Sequence, residues 1–317
     1  MNENLYKVLE LLYQNKDGRC SGEDIGQRLG MSRAGVGKHI NTLKKFGFNI
    51  ISGTKTGHML KDDRDVLNEY YIRLKLCEKN ICIPVIFKQK TSSTNIDGKE
   101  SAAKFKNAVI VAQTQTGGRG RKERAFLSDF GGLYFSYIIS PQNLKPYDAL
   151  KTVLLCGIAV CRVCKKSGID AKLKWPNDVM AGDKKLCGIL AEMVSSSDIL
   201  QHLILGIGIN VNNEIHKNIS TAISYKELKN KEYKRAEILA DCIFELNNIF
   251  SEFCNSGFEQ FTNEYKNLSN TLGKEVKIVE NEKSFTAIAQ DLDRDGFLIV
   301  KTKDGEMRLV TADVSIR

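Results

Sequence analysis

No apolar stretch in the chain is long enough to cross a bilayer. The longest, Val153 to Cys161, falls far short of the roughly 20 residues that a spanning helix needs, so a membrane protein is not expected. Histidine is scarce, with four residues scattered along the chain, and no Ser-His-Asp set can be argued from them. There is no G-x-x-x-x-G-K-S/T run, which speaks against a P-loop. Gly206-x-Gly208 lacks a third glycine and opens no helix, so it is not a dinucleotide fingerprint. Cys161-x-x-Cys164 has no second Cys or His pair, which makes a zinc site improbable and leaves two core or surface thiols. The start, Met1-Asn2-Glu3-Asn4, is acidic and polar and has no signal-peptide pattern. Taken with an odd cysteine count of nine, it predicts a cytoplasmic protein with reduced thiols and no disulfide.

What is present is ordinary for a folded chain. The 42% hydrophobic and 27% charged content, with a mean hydropathy of -0.27, excludes a disordered chain, a collagen-like chain and a disulfide knot. A length of 317 residues suits two domains at ~150 residues each, or three if some are small. The net charge of +9 fits either simple solubility or an acidic partner such as nucleic acid or a phosphorylated substrate. Its distribution is uneven: residues 21–61 hold 7 basic and 2 acidic side chains, whereas residues 271–317 hold 8 and 9.

That basic segment also carries a helical pattern. Leu5, Val8, Leu9 and Leu12 repeat at i, i+3, i+4, i+7 and predict one amphipathic helix. Ser21 can cap a second helix, whose apolar stripe is Ile25 and Leu29 and whose end is Gly30. Ser32 can cap a third, with Val36, Ile40 and Leu43 turned inward. Two short helices joined by a glycine-containing turn make a helix-turn-helix signature. The outer face of the third holds Ala34, Lys38, Asn41 and Lys45, which suit a major groove and its phosphates. The candidate DNA contacts are Ser32, Arg33, Ala34, Lys38, His39, Asn41, Thr42 and Lys45. Residues 50–60 read as two short strands around Lys55-Thr56-Gly57, a wing. The bland alternative is a small helical domain with a solvated polar face, His39 being structural. Gly35 and Gly37 each cost ~1 kcal/mol inside a helix and predict a recognition helix that is soft until DNA binds.

Residues 66–79 read as a connecting helix. Strand candidates follow at 84–88, 108–112, 133–139, 171–174, 186–194 and 200–210, with long helices over 147–166 and 232–254. The two strands of 186–210 join at Ser195-Ser196-Ser197-Asp198 as an antiparallel pair. Strict strand–helix alternation is missing, so a mixed sheet with packed helices is expected. In the last 47 residues, short strands at 276–279, 285–289, 297–300 and 308–310, with Asp295-Gly296 and Asp304-Gly305 turns, suggest a small barrel. Three domains result: 1–64, 65–269 and 270–317.

Three segments of the middle domain carry chemistry. Gly117-Gly118-Arg119-Gly120-Arg121, followed by Lys122 and Arg124, makes a cationic loop between two strands. Its glycines allow close backbone approach and its guanidinium forks suit carboxylates and phosphates. Lys174-Trp175-Pro176-Asn177-Asp178 places Asn177 and Asp178 at a strand end, and Lys185 follows seven residues later. Thr91-Ser92-Ser93-Thr94-Asn95 offers hydroxyl and amide groups to a small polar ring. Each has a plain counterpart: an exposed or RNA-binding loop, a core Trp with a turn-forming Asp and a solvated Lys, and a helix cap.

In this order the pieces resemble one family, the biotin protein ligases that also repress the biotin operon. The resemblance runs from Ser21 to Leu43 and on to Val314-Ser315-Ile316-Arg317. It rests on five motifs: Ser93-Thr94-Asn95, Gly118-Arg119-Gly120-Arg121, Lys174 to Asp178, Lys185-Leu186-x-Gly188-Ile189-Leu190 and Gly206-Ile207-Gly208-Ile209-Asn210-Val211. It implies a winged helix, a central domain like class II aminoacyl-tRNA synthetases and a small SH3-like barrel, an α+β multidomain chain. The implied activity is that of a biotin--[acetyl-CoA-carboxylase] ligase. It joins biotin to ATP, with Mg²⁺ as the nucleotide's counterion, to form biotinyl-5′-AMP. It then passes biotin to a lysine of the biotin carboxyl carrier protein.

The adenylate is implied to act as corepressor for a ligand-promoted homodimer on operator DNA. The implied biotin site is Ser93, Thr94, Asn95, Gln115, Gly118, Arg119, Gly120, Arg121, Lys185 and Gly188, with Lys185, Arg119 and Arg121 catalytic. Phe126, Asn177, Asp178 and Asn210 fall to the nucleotide, and Asp178 to Mg²⁺. No tightly bound metal is expected. Other readings of the same resemblance are a ligase that no longer represses, a biotin-sensing DNA-binding protein without catalysis, and an enzyme for lipoate or octanoate. The family commonly has Ala and Trp where Gly35 and Gly37 stand, and usually Trp where Phe126 stands. It often has Gly-Glu where this chain has Ala312-Asp313.

Overall fold

The computed structural model describes residues 2–16, 18–53, 56–140, 148–196, 199–216, 219–280, 283–310 and 312–316. It divides into two compact units. One is Met1–Cys82 with Lys234–Ala240; the other is Ile83–Tyr233 with Asp241–Arg317.

The first unit is built on capped helices. In α1 (Glu3–Gln14) the Asn2 side chain accepts the Leu5 N–H, and Leu5, Val8, Leu9 and Leu12 are buried. Ser21 caps α2 (Gly22–Leu29) by accepting the Asp24 N–H, and Gly30 ends it at φ 64, a left-handed turn that glycine adopts without strain. Ser32 caps α3 (Arg33–Lys45) by accepting the Gly35 N–H. Val36, Ile40 and Leu43 enter the core, while Ala34, Lys38, Asn41 and Lys45 are exposed. Each fully buried aliphatic side chain contributes about 1.5–3 kcal/mol, so short helices hold together through this shared stripe. The wing is the antiparallel pair β1 (Asn49–Gly53) and β2 (Gly57–Lys61); Lys55, in its turn, lies outside the described residues.

The expected connecting helix is α4 (Glu69–Cys77). Between wing and α4, each of three carboxylates is held. Asn49 Nδ2 donates to both Asp63 oxygens, Tyr71 Oη donates to Asp62 at 2.5 Å, and Asp65 accepts from both the backbone N–H and Nε of Arg235. Arg235, 1% exposed, opens α8 (Arg235–Ser256), a helix whose later turns belong to the second unit.

The second unit centres on a seven-stranded mixed sheet of order β3-β4-β5-β9-β8-β7-β6. Its strands are β3 (Val85–Thr91), β4 (Ala108–Gln115), β5 (Leu133–Ile139), β6 (Lys172–Lys174), β7 (Asp178–Ala181), β8 (Lys184–Ser196) and β9 (Ile199–Ile209). Only β3 and β4 run parallel; every other neighbouring pair is antiparallel. The β8–β9 pair is the one expected from 186–210, although Ser197 and Asp198 lie outside the described residues.

Strand alternation sorts the faces. Ser136, Gly206 and Leu190 share one cross-strand row, and Tyr134, Gly208 and Gly188 the next row on the same face. Helix α5 (Thr94–Ala102) lies on that face, where Gly98 passes close to Ile204 and Ser136. The opposite face takes α6 (Ala149–Lys166), whose Gly157 passes close to Leu173 and Ile189, and α8, whose Asn247 Oδ1 accepts from Tyr137 Oη at 2.7 Å. Cys161 and Cys164 are both buried thiols of α6.

Helices α7 (Tyr225–Lys229) and α9 (Glu259–Leu268) lead to a five-stranded antiparallel sheet, order β13-β12-β11-β10-β14. It comprises β10 (Glu275–Glu280), β11 (Lys283–Leu292), β12 (Leu298–Thr302), β13 (Gly305–Leu309) and β14 (Asp313–Ile316). Gly296 and Gly305 have the positive φ expected of Asp-Gly turns. Trp175, 2% exposed, ties this sheet to the larger one: its Nε1 donates to Gly296 O and its backbone N–H to Thr271 Oγ1, each at 3.0 Å. Among the described residues no helix is long and apolar enough to cross a membrane.

Candidate functional site

Three glycines on one sheet face make the site. Gly188 and Gly208 face each other across β8 and β9, and Gly206 sits one row away opposite Leu190. Without side chains they leave a hollow that neighbours exploit. A methyl at Gly206 would lie 2.1 Å from Asn95 Oδ1, and one at Gly208 would lie 2.6 Å from the Phe126 ring. The hollow opens into a cleft reached by Ser93, Thr94, Asn95, Gln115, Arg119 and Gly120 among others.

Its polar end is a connected network. Asn95 Nδ2 donates to Glu192 Oε2 at 2.8 Å and to Leu190 O at 3.3 Å. Ser136 Oγ donates to Asn95 Oδ1 at 2.6 Å and lies 2.8 Å from Thr94 Oγ1. Gln115 Oε1 accepts the Thr94 N–H at 2.8 Å, and Gln115 Nε2 donates to Ser128 Oγ at 2.8 Å. Ser93 occupies the N-cap of α5 but makes no side-chain capping bond, which leaves its hydroxyl available to the cleft it lines.

Lys185 reaches this face through an irregularity. Opposite β7, the register shifts between Val179 and Met180, so Leu186 is the extra residue of a β-bulge. A bulge re-aims the side chains beside it. Here it brings Lys185 onto the side of Gly188, with Nζ 2.6 Å from Asp178 Oδ1 and 5.6 Å from the Phe126 ring centre. The Lys185 backbone is clamped as well: its N–H donates to Thr221 O and its carbonyl accepts from Ile223. Asn177 lines the same cleft and donates through Nδ2 to Ile189 O at 3.2 Å.

A second cleft adjoins the first, and Phe126 and Lys185 line both. Asn210 lines only the second, where Asn213 Nδ2 donates to its Oδ1 at 3.1 Å. His216 and Asp129 face each other there at 2.8 Å.

The cationic loop folds back as a narrow hairpin. Phe126 N–H donates to Gly118 O and Gly120 N–H to Arg124 O. Gly118 has no room for a Cβ, which would lie 2.3 Å from Phe126 O. Arg119 and Gly120 face the first cleft, whereas Arg121 donates to Ala312 O at 3.5 Å, toward the C-terminal sheet.

In the first unit, Ser32, Arg33, Ala34, Lys38, Asn41 and Lys45 form an exposed surface of α3, while His39 and Thr42 are half-buried. Thr42 Oγ1 donates to Lys38 O at 3.0 Å. Beside them, a groove runs between α2, α3 and the wing, lined by Arg33, Gly37 and His58 among others.

Of the site residues expected from sequence in this unit, Ser93, Thr94, Asn95, Gln115, Arg119, Gly120, Phe126, Asn177, Lys185, Gly188 and Asn210 line one or other cleft, Asn177 the first and not the second; Gly118, Arg121 and Asp178 line neither, although Asp178 reaches Lys185. Sequence reasoning missed Ser136, Ser128, Glu192 and the floor role of Gly206 and Gly208. Two signals were there: a lone Ser inside the apolar run Leu133–Ile139, and glycines at alternate positions of one strand, which bare a single face.

A helix-turn-helix unit is joined in one chain to a mixed-sheet unit whose two clefts meet at a lysine, the plan of a DNA-binding small-molecule ligase. Three family models match it in order: an HTH domain over residues 4–59, the biotin/lipoate A/B protein ligase family over 84–210 and a biotin protein ligase C-terminal domain over 271–317. The chain is 28% identical to the bifunctional ligase/repressor BirA of Bacillus subtilis, over 98% of this chain and 97% of that one. It is also 28% identical to the protein of that name in Escherichia coli, over 94% and 92%. The solved biotin protein ligase of Aquifex aeolicus in complex with biotin and ATP is 30% identical, with a TM-score of 0.65 over 74% of this chain and 98% of that one. The chain belongs to the biotin protein ligase family.

Proposed function

We propose that the chain is an ATP-dependent biotin protein ligase and a repressor of biotin genes. The observation that carries this reading is the pair of clefts sharing Lys185 and Phe126. One suits a small ring acid and the other a nucleotide, and the two reacting groups meet at a cation.

In the first step a biotin carboxylate oxygen attacks the α-phosphorus of ATP, the bond to the β-phosphate oxygen breaks and pyrophosphate leaves. Catalysis of this step is positioning and electrostatic stabilisation. Ser93, Thr94, Asn95, Gln115, Gly118 and Gly188 form the biotin end. Phe126, Asn177, Asp178 and Asn210 serve the nucleotide. Lys185 turns from Asp178 to pair with the incoming carboxylate and α-phosphate, and Arg119 and Gly120 close over the same anions; Arg121 joins them by leaving Ala312 O. Magnesium arrives with ATP as part of the substrate. Asp178, beside Lys185, is the side chain that would meet that ion.

In the second step the amine of a carrier-protein lysine attacks the acyl carbon and AMP departs. The acceptor is the biotin carboxyl carrier protein of acetyl-CoA carboxylase. The three domains, 1–64, 65–269 and 270–317, read DNA, make the adenylate and support the active-site loop. Biotinyl-AMP promotes a homodimer, and Ser32, Arg33, Ala34, Lys38, His39, Asn41, Thr42 and Lys45 meet the operator. The free thiols suit the cytoplasm.

Biotin-dependent exchange of pyrophosphate into ATP tests the enzyme reading. Activity with biotin is expected; no exchange removes the reading, and exchange with lipoate alone changes the substrate. Repression is tested by binding to an inverted-repeat biotin operator, which biotinyl-AMP should strengthen.

A further inference from the structure

Glu192 is not among the residues lining either cleft, yet it ends a hydrogen-bond chain that starts inside the first. Its carboxylate, which also pairs with Lys99 at 2.5 Å, offers only acceptor oxygens to its neighbours. Leu190 O is likewise only an acceptor. Both face the Asn95 amide, so Nδ2 must point to them and Oδ1 to Ser136. The single proton of Ser136 goes to Asn95 Oδ1, at 2.6 Å. The Thr94 hydroxyl then has two acceptors for its own proton: the lone pairs of Ser136 Oγ at 2.8 Å and Gln115 Oε1 at 3.2 Å. Gln115 keeps its acceptor side toward Thr94 because it already takes the Thr94 N–H there and donates through Nε2 to Ser128. Whichever acceptor Thr94 uses, its proton stays within the protein, and it presents lone pairs to the cleft.

We propose that Glu192 is a positioning residue that sets the proton direction of this chain, fixing Thr94 as an acceptor and selecting a ring acid that presents an N–H. The inference rests on the first cleft being the biotin end, where a ureido N–H supplies that donor. Loss of Glu192 leaves Leu190 O, at 3.3 Å, as the one acceptor holding the Asn95 Nδ2, in place of two, so the amide turns over more readily. In the turned-over form Ser136 would accept from Asn95 and donate to Thr94, which takes one Thr94 lone pair and leaves Gln115 Oε1, at 3.2 Å, as the acceptor in this chain for the Thr94 proton, so that Thr94 competes less well for a ligand N–H.

The test is biotin-dependent pyrophosphate exchange by the full chain. Glu192→Ala should raise KM for biotin about tenfold, with kcat and KM for ATP within about twofold. Glu192→Gln should stay near wild type: its one amide oxygen still accepts from Asn95, and the exposed Lys99 side chain swings into solvent away from the new NH2. Lys99→Met should also keep its KM for biotin, since it removes the ion pair and leaves the acceptor. Biotin methylated at a ureido nitrogen should be discriminated against less by Glu192→Ala than by wild type. An unchanged KM for biotin in Glu192→Ala overturns the proposal, as does a Glu192→Gln variant equally damaged. A fall in kcat with a lowered melting temperature and no KM split marks a structural role and overturns it too. Absence of exchange in the wild-type chain removes the ligase reading itself, and the proposal with it.

Discussion

The ammonium of Lys185 lies 2.6 Å from the carboxylate of Asp178, so the cation at the junction of the two clefts is neutralised before any ligand arrives. Substrate anions compete with Asp178 for the N–H donors of Lys185. Lys185→Met should therefore cost far more in kcat than in protein stability. A fall of about 10²- to 10³-fold in pyrophosphate exchange is expected, the size seen when one transition-state donor is removed. A variant retaining a tenth or more of the activity would place the key cation elsewhere.

The glycine floor makes a steric prediction. Gly206→Ala puts a methyl 2.1 Å from Asn95 Oδ1, backed by Ser136 and Glu192 and unable to retreat. Biotin affinity should drop by tenfold or more, while operator binding without ligand is unaffected. Titration calorimetry with biotin reads the first effect directly.

Recognition helix α3 can be stiffened without touching its surroundings. A Cβ at Gly37 meets nothing within 4 Å. Gly37→Ala should stabilise the helix by about 0.5–1 kcal/mol, seen as slower amide exchange across residues 33–45. No change in that exchange would show that the glycine does not soften the helix.

Acid should loosen the first unit through Asp62. Burial raises its pKa, but the Tyr71 hydrogen bond and Lys234 outweigh burial and hold the carboxylate below its usual 3.8. A depressed folded-state value contributes stability above the unfolded pKa that is lost as pH falls through the folded one. Asp62→Asn should thus be less stable than wild type at neutral pH by about 1–3 kcal/mol. The gap should narrow below pH 3.8, and urea midpoints across pH 2.5–7 check it. A constant gap would exclude the titration.

Thiol labelling should divide the cysteines sharply. Cys156, Cys161, Cys164, Cys187 and Cys242 are buried, and burial pushes their thiols up, Cys164 to about 12. Native chain should react quickly at Cys77 and Cys82, more slowly at half-buried Cys20 and at Cys254, whose thiol partial burial and Asp148 push up, and at the other five only after denaturation.

Local signals carried much of the structure. The caps Ser21 and Ser32, the α1 stripe and the largely apolar, fully buried Leu133–Ile139 could be read directly, because each is decided by neighbours a few residues away. Strand β7 escaped notice: four residues without alternation give no period, and its place comes from pairing with β6 and β8. Helix α5 was visible only as a cap, since Asn-Ile-Asp-Gly-Lys has almost no apolar stripe. At the site, Lys185 stood out in sequence, but the Leu186 bulge that aims it depends on register with Asp178–Ala181. Glu192 was invisible because its partner Asn95 lies 97 residues away. Of the expected loop arginines, Arg121 is drawn toward Ala312 by a carbonyl that no local motif announces.

The burial of Arg235 against Asp65 sets an order of events during synthesis. The first unit is not contiguous in the chain; its closing piece, Lys234–Ala240, is made about 150 residues after the rest. At translation rates near 5–20 residues per second, Asp62 and Asp65 wait on the order of ten seconds for Lys234 and Arg235. A nascent helix-turn-helix can therefore form early, but its charged neck completes only after most of the catalytic sheet has left the ribosome.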